Sequence, residues 1–142
     1  MSTLKVTNVK HETSGLNTLV FDNGGTSGGN GRVTTKGTIG EVITAAYAST
    51  ITLDFKTGNN FTTTLTGNTT FANPTTLVAG QSGVIFIIQD SNGGHTASFD
   101  PYWDFSDGTA PTLSTAGNAV DMVAWIARSS TKISAQFVGN FS

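Results

Sequence analysis

The 142-residue chain has few charges: 11% of its residues are charged, 37% are hydrophobic, and the net charge is -2. Soluble domains usually carry about 25% charged residues, so threonine, serine and asparagine must supply much of the polar surface. Lysines and arginines do not cluster, so we expect no nucleic-acid partner. The absence of cysteine excludes disulfides and thiolate metal sites. No apolar run is long enough for membrane insertion, and no signal peptide is recognisable.

Residues 1–46 are predicted to form an extended N-terminal arm. Short apolar stretches alternate with polar residues there and are separated by the glycine-rich segment 23–31. Such a segment buries too little apolar surface to offset its ordering entropy alone, so we expect it to order against a partner. The residues predicted to dock or oligomerise are Leu4, Val6, Val9, Leu19 and Phe21. Edge strands of the main domain are the alternative that the pattern leaves open.

Residues 47–142 are predicted to form the main β domain. Apolar residues alternate over 51–55 and 61–65, a short strand follows at 69–72, and turn residues such as Gly67-Asn68 separate them at the spacing of sandwiches and barrels. Threonine favours the pleated surface of a strand over a helix because it is β-branched.

Two further patterns complete the predicted domain. Residues 84–88 are apolar on both faces, which indicates a central strand covered on both sides, by a second layer or by a neighbouring subunit. Residues 120–127 and 133–138 are predicted to form a hairpin with its turn at 128–131, whereas 40–48 is assigned as a linker or short strand. The predicted fold is an all-β, antiparallel, jelly-roll-like β-sandwich.

The chain offers few groups for catalysis. It has two histidines, His11 and His95, and nine carboxylates without motif spacing, so we expect no enzyme activity, no metal site and no cofactor. Asp100, Asp104 and Asp107 surround an aromatic cluster, which leaves a depolymerase or calcium site as an alternative. Residues 104–108 favour an ordinary turn instead.

The aromatic pair Tyr102-Trp103 is the candidate adhesive feature. Exposed aromatic rings stack on sugars or anchor interfaces, so both residues are candidate glycan or interface contacts. A tryptophan that caps the open end of the core is the favoured alternative.

Two parts of the chain resemble bacteriophage proteins. The opening Ser2-Thr3-Leu4-Lys5-Val6-Thr7-Asn8-Val9 resembles the start of tail-fibre and other virion proteins of marine phages, especially those that infect cyanobacteria. The stretch from Ile51 to Leu113, which includes residues 71–74, 79–83, 102–105 and 110–113, resembles a β domain that recurs in phage fibre-like proteins. The resemblance implies a virion component, often trimeric, whose N-terminal part docks and whose C-terminal β domain projects.

The leading hypothesis is therefore a non-enzymatic component of the virion exterior. In this hypothesis three copies join through the arm and the apolar strand faces and then bind a capsid or tail protein, as a capsid decoration protein, head fibre or small tail appendage. The alternative is a tail-fibre adhesin that binds a host surface glycan.

Overall fold

The computed structural model describes residues 40–141, whose regular elements are all β-strands apart from one 3₁₀ turn, Ser106–Gly108. None of these residues belongs to a helix with the length and apolar character needed to span a bilayer. The strands are β1 Val42–Thr44, β2 Thr50–Ile51, β3 Asn60–Leu65, β4 Thr69–Phe71, β5 Ser82–Gln89, β6 Ala97–Phe99, β7 Trp103–Phe105, β8 Val120–Ser129 and β9 Lys132–Val138.

The strands form two sheets, and from β1 to β6 each successive strand belongs to the other sheet. The larger sheet has six strands in the order β1-β3-β5-β8-β9-β7, and the smaller has three in the order β2-β4-β6. β1, β3 and β5 pair in parallel, as do β2, β4 and β6. The first six strands thus make three circuits through both sheets, which resembles the winding of a solenoid. β8 and β9 follow as a hairpin on the larger sheet.

The all-β prediction is confirmed, but the antiparallel, jelly-roll-like arrangement is wrong. Five of the seven pairings among the described strands are parallel, whereas a jelly roll is built from antiparallel strands. The reason is that turn residues such as Gly67-Asn68 carry the chain into the other sheet rather than back along its neighbour. The hairpin across 128–131 is confirmed, with β8 antiparallel to β9.

The inward-facing residues of both sheets share one apolar core. In β3, the predicted face of Phe61, Thr63 and Leu65 is buried. The Phe55 ring stacks on Trp125 with ring centroids 4.1 Å apart. The core also contains Ile51, Leu53, Phe71, Leu77, Ile85, Ile87, Trp103, Leu113, Val123, Ala127, Ile133 and Ala135.

β5 occupies the centre of the larger sheet, between β3 and β8, as its apolar pattern predicted. Its inward residues Ile85, Ile87 and Gln89 are buried, while the intervening side chains on the outer face are only partly buried. At Gly83 a Cβ atom would lie 1.9 Å from the backbone oxygen of Asn59. Only glycine therefore allows β5 to approach the preceding circuit this closely.

Part of the predicted arm belongs to the described structure. Residues 42–44 form β1, the short-strand alternative for 40–48, and Ile43 packs against the core. Leu4, Val6, Val9, Leu19, Phe21 and His11 lie outside the described residues. The boundary between an arm at 1–46 and a domain at 47–142 stays a prediction.

Candidate functional site

The outer face of the larger sheet carries a contiguous group of apolar side chains, which we call the apolar face. It consists of Val84, Phe86 and Ile88 from β5, Val120 and Met122 from β8, and Val138 from β9. Phe86 lies opposite Met122 and Ile88 opposite Val120, while Met122 is flanked on its other side by Val138. Directly opposed side chains on one sheet face are in contact range, so these residues form a single surface.

Uncharged polar residues border the apolar face on both sides. Thr62 and Thr64 point outward from β3, and Ser134 and Gln136 point outward from β9. Among the outward positions of β3, β5, β8 and β9, charge is found only at Arg128 and Lys132, on either side of the hairpin turn. The centre of this surface is therefore apolar and its border is rich in hydroxyl and amide groups.

A second feature, the β7–β9 groove, lies beside the apolar face and has a volume of about 570 Å³. The Asp104 carboxylate accepts hydrogen bonds from the Arg128 guanidinium and from Lys132 Nζ, the latter at 3.1 Å. These three side chains are 40%, 53% and 47% exposed, so the pairs contribute little to stability but stay accessible.

The β7–β9 groove also has neutral and apolar lining residues. Ser106 Oγ donates to Gln136 Oε1 over 3.3 Å, while Ala124 and Ile126 of β8 supply an apolar part of the lining. The groove therefore combines hydrogen-bond donors, acceptors and an apolar surface, which is the chemistry that a polyhydroxylated ligand requires.

The Tyr102-Trp103 pair lies at the edge of the core. Trp103 is 6% exposed, its indole Nε1 donates to the Ala72 carbonyl at 3.1 Å, and its ring packs edge-on against Phe55 and Phe99. Tyr102 is half-buried against the core. Trp103 thus has the position expected of a core cap, and a glycan or interface role for the pair stays a prediction.

The remaining candidate carboxylates occupy turns. Asp107 has a left-handed φ of 59° within the 3₁₀ turn, and Asp100 precedes β7, where its carbonyl accepts a bond from the Trp103 amide. Residues 106–108 form a turn, as predicted for this segment. Among residues 40–141, no three histidine or acidic side chains are grouped as metal ligands would be.

His95 belongs to the loop that connects β5 to β6. Its Nε2 lies 3.1 Å from Oδ1 of Asp90, which also accepts hydrogen bonds from the backbone amides of Asn92 and Gly93. Desolvation alone would raise the pKa of Asp90, but these bonds together outweigh it and lower the pKa below its ordinary value of 3.8. The contact between Asp90 and His95 therefore fixes the conformation of the loop that connects the two sheets.

The smaller sheet has a polar outer face. Thr50, Thr70 and Ser98 lie in register across β2, β4 and β6, and the hydroxyls of Thr70 and Ser98 are 2.8 Å apart. Neighbouring polar residues line a shallow depression there of about 340 Å³. This hydroxyl face has no large apolar side chain, in contrast to the apolar face of the larger sheet.

The sequence interpretation predicted a covered outer face for residues 84–88, but it missed two features: the extension of this face onto β8 and the β7–β9 groove. The sequence contains a signal for the part of the apolar face on β8. Residues 120–126, like residues 84–88, are apolar at most even-numbered and at most odd-numbered positions. The groove had no such signal, since Asp104 and Arg128 are separated by 24 residues and become neighbours only through the order β7-β9-β8.

These observations define a class of protein: an all-β domain whose described outer surface offers an apolar face and a polar groove for contact. Residues 50–128, more than half of the chain, match the family model described as "Putative phage tail fibre C-terminal domain". The chain belongs to this family of phage tail-fibre domains, and it is a virion-associated protein of the phage tail. No curated protein and no solved structure matches it.

Proposed function

We propose that the protein is a non-enzymatic exterior component of the phage tail that works by oligomerisation and attachment to the particle. The observation that carries the proposal is the family match, because it runs from the first residue of β2 into β8 and so covers the strand framework itself. The family description names a tail fibre, which supports a structural role in the virion.

The hydrogen bonding of the buried acid Asp121 supports a structural role. Asp121 is 1% exposed and accepts bonds from the backbone amides of Ser114 at 2.8 Å and Asn140 at 2.9 Å. Its carboxylate therefore holds the segment before β8 and the segment after β9 to the sheet. The carboxylates of Asp90 and Asp104 are likewise engaged with neighbouring groups, which fits a scaffold without catalysis.

Within the virion, the proposed location is a small tail appendage rather than a capsid decoration or head fibre. The printed family description, which names a tail fibre, supports the tail. The resemblance of residues 2–9 to virion proteins of marine phages adds the proposal of a marine, cyanophage-like origin. Three copies are the proposed stoichiometry, with Leu4, Val6, Val9, Leu19 and Phe21 as the docking and oligomerisation residues.

The test measures the native mass of the full chain and its binding to particles that lack it. Three chains of 14.7 kDa give an expected mass of 44.1 kDa. The double variant Leu19→Asp with Phe21→Asp should lose particle binding while its circular dichroism spectrum is retained. Asn17→Asp with Thr18→Asp adds the same charge at neighbouring polar positions and should bind normally. A single-chain mass at every concentration, or normal binding by the first variant, would contradict the proposal.

The second candidate function is a carbohydrate-binding adhesin, which the β7–β9 groove favours. Its volume lies within the roughly 300–1,000 Å³ of small-molecule sites, and Lys132 links it to the loop before Tyr102 by donating to the Pro101 carbonyl. Binding of the purified chain to host cells, lost when Arg128 and Gln136 are both changed to alanine and retained in Lys56→Ala, would support this function. Equal binding by both variants would remove it.

A further inference from the structure

The side chains of the apolar face do not belong to the core cluster beneath them. In β5 and β8 the inward residues Ile85, Ile87, Val123 and Trp125 already fill the interior, and the outward residues point away from it. Yet Phe86, Ile88 and Met122 keep large apolar side chains where the smaller sheet has threonine and serine. Contiguous apolar surface of this kind marks a contact site on soluble proteins.

The backbone around the apolar face excludes one kind of occupant. β5 and β8 each pair with a neighbouring strand on both sides, so the two strands that carry most of the apolar face offer no free edge. An added strand therefore has no place to pair along them. The occupant must pack its side chains against the outer face of the sheet.

The charges around the apolar face further restrict the chemistry of a possible occupant. The apolar face itself carries no charge, and the only charges at the outward positions of β3, β5, β8 and β9, Arg128 and Lys132, are already paired with Asp104. A charged partner would thus find no counter-charge at the centre and would lose its hydration without compensation. The occupant must present an uncharged, apolar surface with polar groups at its border.

The outer surface of these four strands is large enough to supply most of a protein interface. β3, β5, β8 and β9 have 6, 8, 10 and 7 residues. At about 4.8 Å between strands and about 3.3 Å per residue, they cover roughly 500 Å² as a flat rectangle, and corrugation by side chains adds to this. A stable interface takes about 800 Å² from each partner, with an apolar centre and a polar border.

We propose that the occupant of the apolar face is the same face of the other copies in the proposed trimer, so that three such faces meet around one axis. Each copy supplies the required properties: an uncharged apolar centre and a border of hydroxyl and amide groups. Arg128 and Lys132 both pair with Asp104 at the hairpin end of the sheet, so the copies bring no charge into the apolar centre of the contact. This inference rests on the proposed oligomerisation and names the strands that form its interface.

The experiment compares three full-length chains by sedimentation over a range of concentrations. Met122→Glu places a carboxylate at the centre of the apolar face, where it is opposed by Phe86 and Val138. Thr50→Glu is the matched control, with the same charge on the exposed outer side of the smaller sheet. We expect Met122→Glu to weaken self-association about 30-fold or more, as loss of a central contact does, and Thr50→Glu to behave as the unchanged chain does.

The other outcomes separate this inference from the proposed function. Oligomers that survive Met122→Glu unchanged would overturn the apolar face as interface while leaving oligomerisation intact. A monomeric unchanged chain would overturn both. Loss of particle binding with intact oligomers would assign the face to a particle protein and also overturn the inference. If Met122→Glu fails to fold, Val84→Thr with Ile88→Thr keeps β-branched side chains and serves as the second variant.

Discussion

The two sheets of this protein are built alike on the inside and differently on the outside. Both consist of strands laid down in successive circuits, and both contribute inward-facing residues to one core. Outside, the smaller sheet carries Thr50, Thr70 and Ser98 in register, whereas the larger carries Phe86 beside Met122. Because a hydroxyl-covered sheet is compatible with this fold, the apolar side chains on the other sheet indicate a role outside folding.

The largest predicted effect tests whether the outer apolar side chains are dispensable for folding. Phe61 and Phe86 lie on the adjacent strands β3 and β5 of one sheet, but Phe61 is 2% exposed in the core and Phe86 points outward. Phe61→Ala should lower the free energy of unfolding by about 3–5 kcal/mol. Phe86→Ala should cost about 1 kcal/mol or less, because only cross-strand contacts are lost.

Urea unfolding at a protein concentration low enough to keep the chains separate measures the free energy of unfolding of both variants. The unchanged chain and Thr62→Ala, an outward substitution on β3, serve as references. Equal costs for the two phenylalanines would mean that the apolar face stabilises the single chain as much as its core does, and the comparison between the sheets would fail.

The sequence predicted burial well and strand pairing poorly. Alternation predicted that Phe61, Thr63 and Leu65 share a buried face, because a period of two reports which side of a strand meets the core. It carries no information on the direction of the neighbouring strand. Gly67-Asn68 has the composition of a hairpin turn, yet it leads from β3 into the other sheet. The sequence pattern therefore predicts antiparallel neighbours where the structure has parallel strands.

The contact surfaces were predictable to different degrees. The two-sided apolar pattern of residues 84–88 indicated a second covering layer, and the apolar face agrees with that pattern. The β7–β9 groove depends on the order of three strands, which no local pattern encodes. Trp103 was assigned both a surface and a core position by the sequence, and its burial at 6% exposure follows from tertiary packing that residue type alone does not determine.

An intermediate effect concerns the loop that joins the two sheets after β5. The pKa of Asp90 is lowered in the folded chain, so its stabilising contribution is present above the ordinary value of 3.8 and is lost as pH falls through the lower folded-state value. Asp90→Asn should therefore melt at a lower temperature than the unchanged chain at neutral pH. The difference should shrink once the pH falls below 3.8.

Thermal melts at neutral pH and in strong acid measure this difference. Asp107→Asn is the matched control, because it removes the same charge from an exposed turn and asparagine tolerates the left-handed conformation found there. A melting difference between Asp90→Asn and the unchanged chain that stays constant across this range would mean that the carboxylate does not hold the loop through its charge.

The smallest predicted effect lies on the hydroxyl face of the smaller sheet. The hydroxyls of Thr70 and Ser98 are 2.8 Å apart on paired strands and are accessible to water. Thr70→Val, Ser98→Ala and the double variant form a thermodynamic cycle whose coupling energy reports their bond. We expect about 0.5 kcal/mol, since water competes for both groups. A coupling above about 1.5 kcal/mol is typical of a desolvated bond and would place a covering layer on this sheet too, which removes the contrast between the two outer faces.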